Sequence, residues 1–127
     1  MKYLLHTHVL FWVLVDDVSL PVPFRDILAS RDHQFWVSAV TGWEIVTKVR
    51  IGKWPEARVL LPNLFAKVRL AGFHIAELTL EQAERAGSFA GGHKYPFNRL
   101  LAAQAIDQEF VVLTVDPALA SLGCKVA

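Results

Sequence analysis

Four short, mostly apolar runs punctuate the chain: Tyr3 to Leu5, Phe35 to Val37, Phe73 to Glu77 and Phe110 to Leu113. Brief apolar runs with turn signals at their ends read as strands buried on both faces. Between them the apolar positions recur at helical spacing. Thr7 is placed to cap a first helix carrying Val9, Leu10, Trp12, Val13 and Leu14, which Asp16, Asp17 and Pro21 bring to an end. Pro23 to Arg31 reads as a second, short helix. Ser38 precedes a third, running to about Arg50 and closed by Gly52. Pro55 opens a fourth helical stretch with apolar spacing at Val59, Leu60, Leu64, Phe65 and Val68, ended by Gly72. Thr79 caps a fifth, LEQAERAGSF, and Phe97 to Glu109 is a sixth. Asp116 and Pro117 start a last helical turn, and Lys125-Val126 adds an edge strand.

Strands alternating with helices predict an α/β fold. The expected form is a three-layer α/β/α sandwich with a short central parallel sheet and helices on both faces. At 127 residues the sequence is expected to form one domain, residues 1–127. In such sheets ligands bind beyond the carboxyl ends of the strands. That directs attention to His6 and Thr7, Ser38, Thr79, and Thr114 with Asp116.

Composition changes this picture little. Over half the residues are hydrophobic, which excludes a disordered chain, and the formal charge of +1 argues neither for nor against nucleic acid. A single cysteine, Cys124, cannot form an internal disulfide, so a reducing compartment is the simplest reading. The opening YLLHTHVLFWVLV has a faint likeness to a secretory signal, but His6, Thr7 and His8 interrupt it and no small-residue cleavage site follows. No apolar run approaches the ~20 residues of a membrane span. The expected location is the cytoplasm, with no membrane partner.

Two carboxylates stand out. Asp116 follows the strand VVL and should emerge at the sheet's carboxyl edge. Glu44 lies among Trp43, Ile45 and Val46, in a helix that reads as largely buried, where a lone charge is costly and calls for a partner. A cation is one such partner. The structural alternative for Glu44 is an ion pair with Lys48 four residues on, and for Asp116 an Asp-Pro helix cap.

The combination says more. KYLLHTHVLFW, then SAVTGWEIVTKVRIGK, then HKYPFNRLLAAQA, then VVLTVDPAL resemble, in order and spacing, the PIN-domain family, and within it the VapC-type toxins of toxin–antitoxin pairs. The resemblance covers nearly the whole chain. It implies divalent-metal-dependent cleavage of RNA by acidic residues gathered at the sheet's carboxyl edge. It also implies an RNA substrate, an antitoxin partner, a homodimer, and Mg²⁺ or Mn²⁺ as the ion. Such an ion takes oxygen ligands and can activate an attacking water.

On that pattern Glu44 and Asp116 match acidic positions, while His6 and Asn98 stand where the family has aspartates, and Tyr95 replaces a further aspartate. The catalytic and metal-binding candidates are therefore Glu44 and Asp116, with Asn98 and His6 as weaker members. A unit charge pair ~4 Å apart is worth roughly 4 kcal/mol at intermediate dielectric, so a site short of two carboxylates should hold Mg²⁺ poorly. Imidazole suits other metals better, and His6 with His8, and His93 nearby, is an alternative metal site. His33 and His74 carry no signal. Each replacement is one base change from an aspartate codon, a route open to selected or engineered loss of function and to drift alike.

Thr7, Ser38, Lys48 and Arg99 are candidates for RNA or phosphate contact, with Arg50, Lys53 and Lys94 nearby; for Thr7 and Ser38 the alternative is helix capping. Four tryptophans are many for this length. Trp43 reads as core. Phe11, Trp12, Trp36 and Trp54 are the candidate antitoxin groove, with core packing as the alternative. Two functions stay open: an impaired metal-dependent endoribonuclease toxin, or a catalytically inactive PIN-like module that binds RNA or protein.

Overall fold

The computed structural model describes residues 1–90 and 95–127; His93 and Lys94, both singled out above, lie outside the described residues. Five strands form one parallel sheet: β1 (Lys2–Leu5), β2 (Gln34–Ser38), β3 (His74–Ala76), β4 (Val111–Leu113) and β5 (Lys125–Val126), in the order β3-β2-β1-β4-β5. The expected parallel sheet and the edge strand at Lys125 are both present. β1 is central, pairing Tyr3 with Phe35 of β2 on one side and with Val111 of β4 on the other.

Side chains alternate between two cores, as the two-residue period of a strand requires. Tyr3, Leu5, Phe35, Val37 and Leu113 enter one core, with α1 (Thr7–Val15), α2 (Val22–Ala29), α3 (Ala39–Arg50) and α4 (Leu64–Leu70) contributing Leu10, Phe24, Ile45 and Val68. Leu4 and Val112 enter the other, with Leu101, Ala102 and Ala105 of α6 (Pro96–Gln108) and Leu119 of α7 (Ala118–Ser121). Helices on both faces account for strands with so few polar residues. α5 (Leu80–Ser88) packs on α6 and opens with a full capping box: the Thr79 hydroxyl accepts from the Gln82 amide, and the Gln82 side chain accepts from the Thr79 amide.

Three expectations about elements need correction. Thr7 does not cap α1. The cap position is His6, and Thr7 is the first helical residue, buried, with its hydroxyl directed elsewhere. The fourth helical stretch is two pieces, a 3₁₀ helix over Pro55–Leu60 and then α4. Pro62 lies between them; it lacks the amide a continuous helix needs and its ring clashes with the preceding turn. Val59 and Phe65 consequently face solvent. Trp43 is also not core. It is 57 % exposed, and Val46 is exposed beside it, whereas Ile45 between them is fully buried. α3 presents only one stripe to the core, so its apolar residues do not all enter.

Candidate functional site

Two strand ends and two helices converge at the carboxyl edge of the sheet. β1 ends at Leu5, whose neighbour on β4 is Leu113, and the His6 amide continues the ladder by donating to the Leu113 carbonyl at 3.0 Å. His6 has extended backbone, φ −66° and ψ 156°, which turns the chain into α1 and sends the imidazole along the edge. There it bridges two elements. Nδ1 lies 2.7 Å from the Thr114 hydroxyl just past β4, and Nε2 lies 2.9 Å from Asn98 Oδ1 in the first turn of α6. With Asn98 Oδ1 accepting, Nε2 donates to it, and Nδ1 shares a hydrogen bond with the Thr114 hydroxyl. The Thr114 hydroxyl in turn accepts from the Asp116 amide at 3.0 Å. Both imidazole nitrogens are therefore satisfied in a buried place.

Glu44, in the middle of α3, points to the same edge and is 5 % exposed. Its Oε1 accepts the Thr7 hydroxyl at 2.5 Å and its Oε2 accepts the Lys48 ammonium at 2.7 Å. Lys48 is one turn along the same helix, in the orientation that favours such pairs. Asp116 is less buried, and its Oδ1 accepts the Ala118 amide at 2.9 Å, the first amide of α7, from one residue before the cap position at Pro117. The ion-pair alternative for Glu44 is thus present in the geometry.

His6, His8, Glu44, Lys48, Tyr95, Asn98 and Asp116 line one pocket of about 200 Å³. All four catalytic candidates are brought together in it, although they come from positions as far apart as 6 and 116. Lys48 cancels the charge of Glu44, leaving Asp116 as the one lining carboxylate without an ion pair among the described residues.

These donors do not fit a tightly held dication. Both oxygens of Glu44 and the oxygen of Asn98 already accept hydrogen bonds, and both nitrogens of His6 are engaged. An incoming Mg²⁺ would sit beside the Lys48 ammonium or have to expel it. Among the described residues no group of three or more histidines, cysteines or acidic residues is arranged to hold a metal. Of the alternative histidine site, His6 has both ring nitrogens engaged, the His8 ring stacks on Trp54 with centroids 4.6 Å apart, and His93 lies outside the described residues.

His8 is exposed at the rim, yet its pKa lies below the ordinary 6.5. The first cause is desolvation against its aromatic neighbours, followed by the positive charge of Lys48 and by His6. A folded-state pKa below the unfolded one means that the unfolded chain takes up this proton first. His8 thus supports folding above pH 6.5, and that support is lost as the pH falls through its folded value. In an NMR titration of the histidine ring protons, the His8 midpoint is expected below 6.5. A midpoint at or above 6.5 would contradict the stacked position.

The other candidates are placed as follows. Thr7 borders the site through Glu44. Ser38 does not line the pocket; its hydroxyl is buried, accepts the Val40 amide at the α3 N-cap and donates to Gln104. The Arg99 guanidinium is directed at the carbonyls of Ala86 and Phe89 at the end of α5, away from the pocket. Trp36 separates from the proposed aromatic groove. It packs on His74 and Phe110 in the α6-side core, whereas Phe11, Trp12 and Trp54 pack against the opposite core, beside His8. Trp36 is the middle residue of β2, so the alternation that sends Phe35 and Val37 to one face sends it to the other.

The sequence marks Thr114 only as a residue just past a strand, and does not single out Gln104. Thr114 holds His6, a contact spanning 108 positions that local pattern does not carry. Gln104 is fully buried, receives the Ser38 hydroxyl and donates to the Ala76 and Glu77 carbonyls past β3. A lone amide within the apolar run LLAAQAI was its only trace.

A family model described as PIN domain matches residues 3–123. In fold the chain is similar to a chain in the crystal structure of VapBC2 from Rickettsia felis bound to a DNA fragment from their promoter. The TM-score is 0.69 at 14% identity, covering 100% of this chain and 98% of that one. It is also similar to a chain of FitAcB from Neisseria gonorrhoeae, with a TM-score of 0.56 at 18% identity, covering 98% and 95%. No curated protein matches in sequence.

Proposed function

Since the chain belongs to the PIN-domain family, we propose that it is a VapC-type toxin whose metal-dependent ribonuclease site is impaired, and which works in the cytoplasm with an antitoxin partner. The observation that supports this most directly is the meeting of His6, Glu44, Asn98 and Asp116 in one pocket at the carboxyl edge of the sheet. That is where an α/β sheet of this kind binds ligands. The fold-level likeness to chains of VapBC2 and FitAcB adds support for the partner, and a homodimer is part of the same reading.

Impairment follows from charge. Where the family gathers acidic residues around a dication, this pocket holds an internal ion pair, an amide and an imidazole. Lys48 supplies Glu44 with the positive neighbour a metal would otherwise provide. The same observation favours a second reading, a catalytically inactive PIN-like module that keeps RNA or protein binding without cleavage.

Calorimetric titration with Mg²⁺ and with Mn²⁺ tests the impairment. The expected outcome is no saturable binding below the millimolar range; micromolar binding would refute it. Expression with and without a small neighbouring reading frame, followed by co-purification, tests the toxin–antitoxin part. Failure to find any such frame whose product co-purifies would count against it.

A further inference from the structure

Aromatic side chains gather beside the pocket in an arrangement the functional reading does not use. Trp43, on the exposed stripe of α3, meets Phe97 edge to face with ring centroids 4.9 Å apart. The Lys48 ammonium lies 6.0 Å from the Phe97 ring and 5.6 Å from the Tyr95 ring. Tyr95 and Lys48 both line the pocket, so the row Trp43, Phe97, Lys48, Tyr95 leads from open surface to its mouth. Trp43 and Tyr95 are 57% and 58% exposed, a large uncovered area for two such residues. A buried position would have served packing better, and Ile45 next door takes it.

Asp116 faces the pocket itself, while cations stand in the last turn of the helix that carries Trp43. Lys48 is paired with Glu44, but Arg50 at the end of α3 and Lys53 just beyond it are exposed and form no ion pair among the described residues. Gly52, at φ +78°, reverses the chain so that the Lys53 amide donates to the Lys48 carbonyl at 2.9 Å, keeping that second cation at the same end of the helix. Exposed rings beside uncompensated cations suit a single strand of nucleic acid: bases stack on the rings and phosphates meet the cations. A duplex, with its bases already stacked, gains nothing from the rings.

Resting on the RNA reading above, we propose that Trp43 and Tyr95 form a base-stacking platform for single-stranded RNA at the mouth of the pocket, with Lys53 and Arg50 meeting the backbone. Binding on this platform requires no metal. The pocket can then be poor at cleavage and the chain still hold RNA.

Fluorescence anisotropy with a labelled oligoadenylate, in EDTA and at two salt concentrations, tests this, with an RNA duplex of the same length for comparison. The unmodified chain is expected to prefer the single strand. Trp43→Leu keeps an apolar contact on Phe97 but removes the π face, and should weaken single-strand binding by about tenfold or more. Trp43→Phe should recover most of that loss, and Lys53→Ala should flatten the salt dependence. Thermal melts check that each variant folds. If Trp43→Leu folds and binds as tightly as the unmodified chain, the platform is overturned and the RNA reading survives. The platform is equally overturned if Trp43→Leu leaves RNA affinity intact but reduces self-association, because the exposed face then serves a protein contact. If the unmodified chain binds neither RNA, both the platform and the RNA reading fall.

Discussion

Restoring three aspartates, His6→Asp, Tyr95→Asp and Asn98→Asp together, is expected to confer Mg²⁺-dependent RNA cleavage at least a hundredfold above that of the unmodified chain. All three positions line one pocket with Glu44 and Asp116, so the new carboxylates would enter the same small volume. A correctly held dication contributes several kcal/mol of charge stabilisation to phosphate chemistry, and each ~1.4 kcal/mol is a decade of rate. Three more negative charges would also give Lys48 competing partners and loosen its hold on Glu44. The measurements are cleavage of an RNA pool with Mg²⁺, Mn²⁺ or EDTA, and growth on expression. His6→Asp forfeits the bridge to Thr114 and Asn98, so circular dichroism must first show a folded variant. A folded triple variant that stays inert in Mg²⁺ and Mn²⁺ would contradict descent from a metal-dependent nuclease site.

Lys48→Met is expected to lower the unfolding free energy by about 3 kcal/mol. The methionine replaces most of the apolar stem, so little packing is lost. What is lost is the only ion-pair partner of a carboxylate that is 5% exposed, leaving Thr7 as its remaining bond among the described residues. An uncompensated buried charge is far more costly than the intact pair is favourable. It follows that Glu44→Gln combined with Lys48→Met should recover much of the loss, because the amide can still accept from Thr7 and no charge remains. Urea denaturation of the single and double variants measures both effects. Equal destabilisation by Lys48→Met with and without Glu44→Gln would show that the pair is not coupled. The cost also bears on function, since a metal that drew Glu44 away from Lys48 would have to offset the same interaction.

The strands and the rim were legible in the sequence for a simple reason. KYLL, FWV and VVL are apolar because helices cover both faces, and that condition is written in each run without reference to anything distant. The Thr79 cap was legible because both of its partners lie within four residues. Trp43 was not. The sequence shows that α3 is rich in apolar residues but not which of its faces is covered, and only neighbours from other elements decide that. Arg99 is a related case: it adjoins Asn98 in sequence, yet successive residues on a helix point about 100° apart, and its guanidinium meets the carbonyls of Ala86 and Phe89. The four site positions could be listed from motifs, whereas the bond from His6 to Thr114 and the bond from Ser38 to Gln104 join residues 108 and 66 positions apart. No local periodicity carries such pairings.

The strand order has one more consequence, for how the molecule is made. β1, at the very start of the chain, lies between β2 and β4, and β4 begins only at Val111. During synthesis the first strand can pair with β2 early, but its other edge stays bare until Val111 and the residues after it have emerged. Until then an apolar strand edge is open to whatever is nearby, a known hazard of late-closing sheets. A binding partner that arrived in that interval would find its target not yet closed.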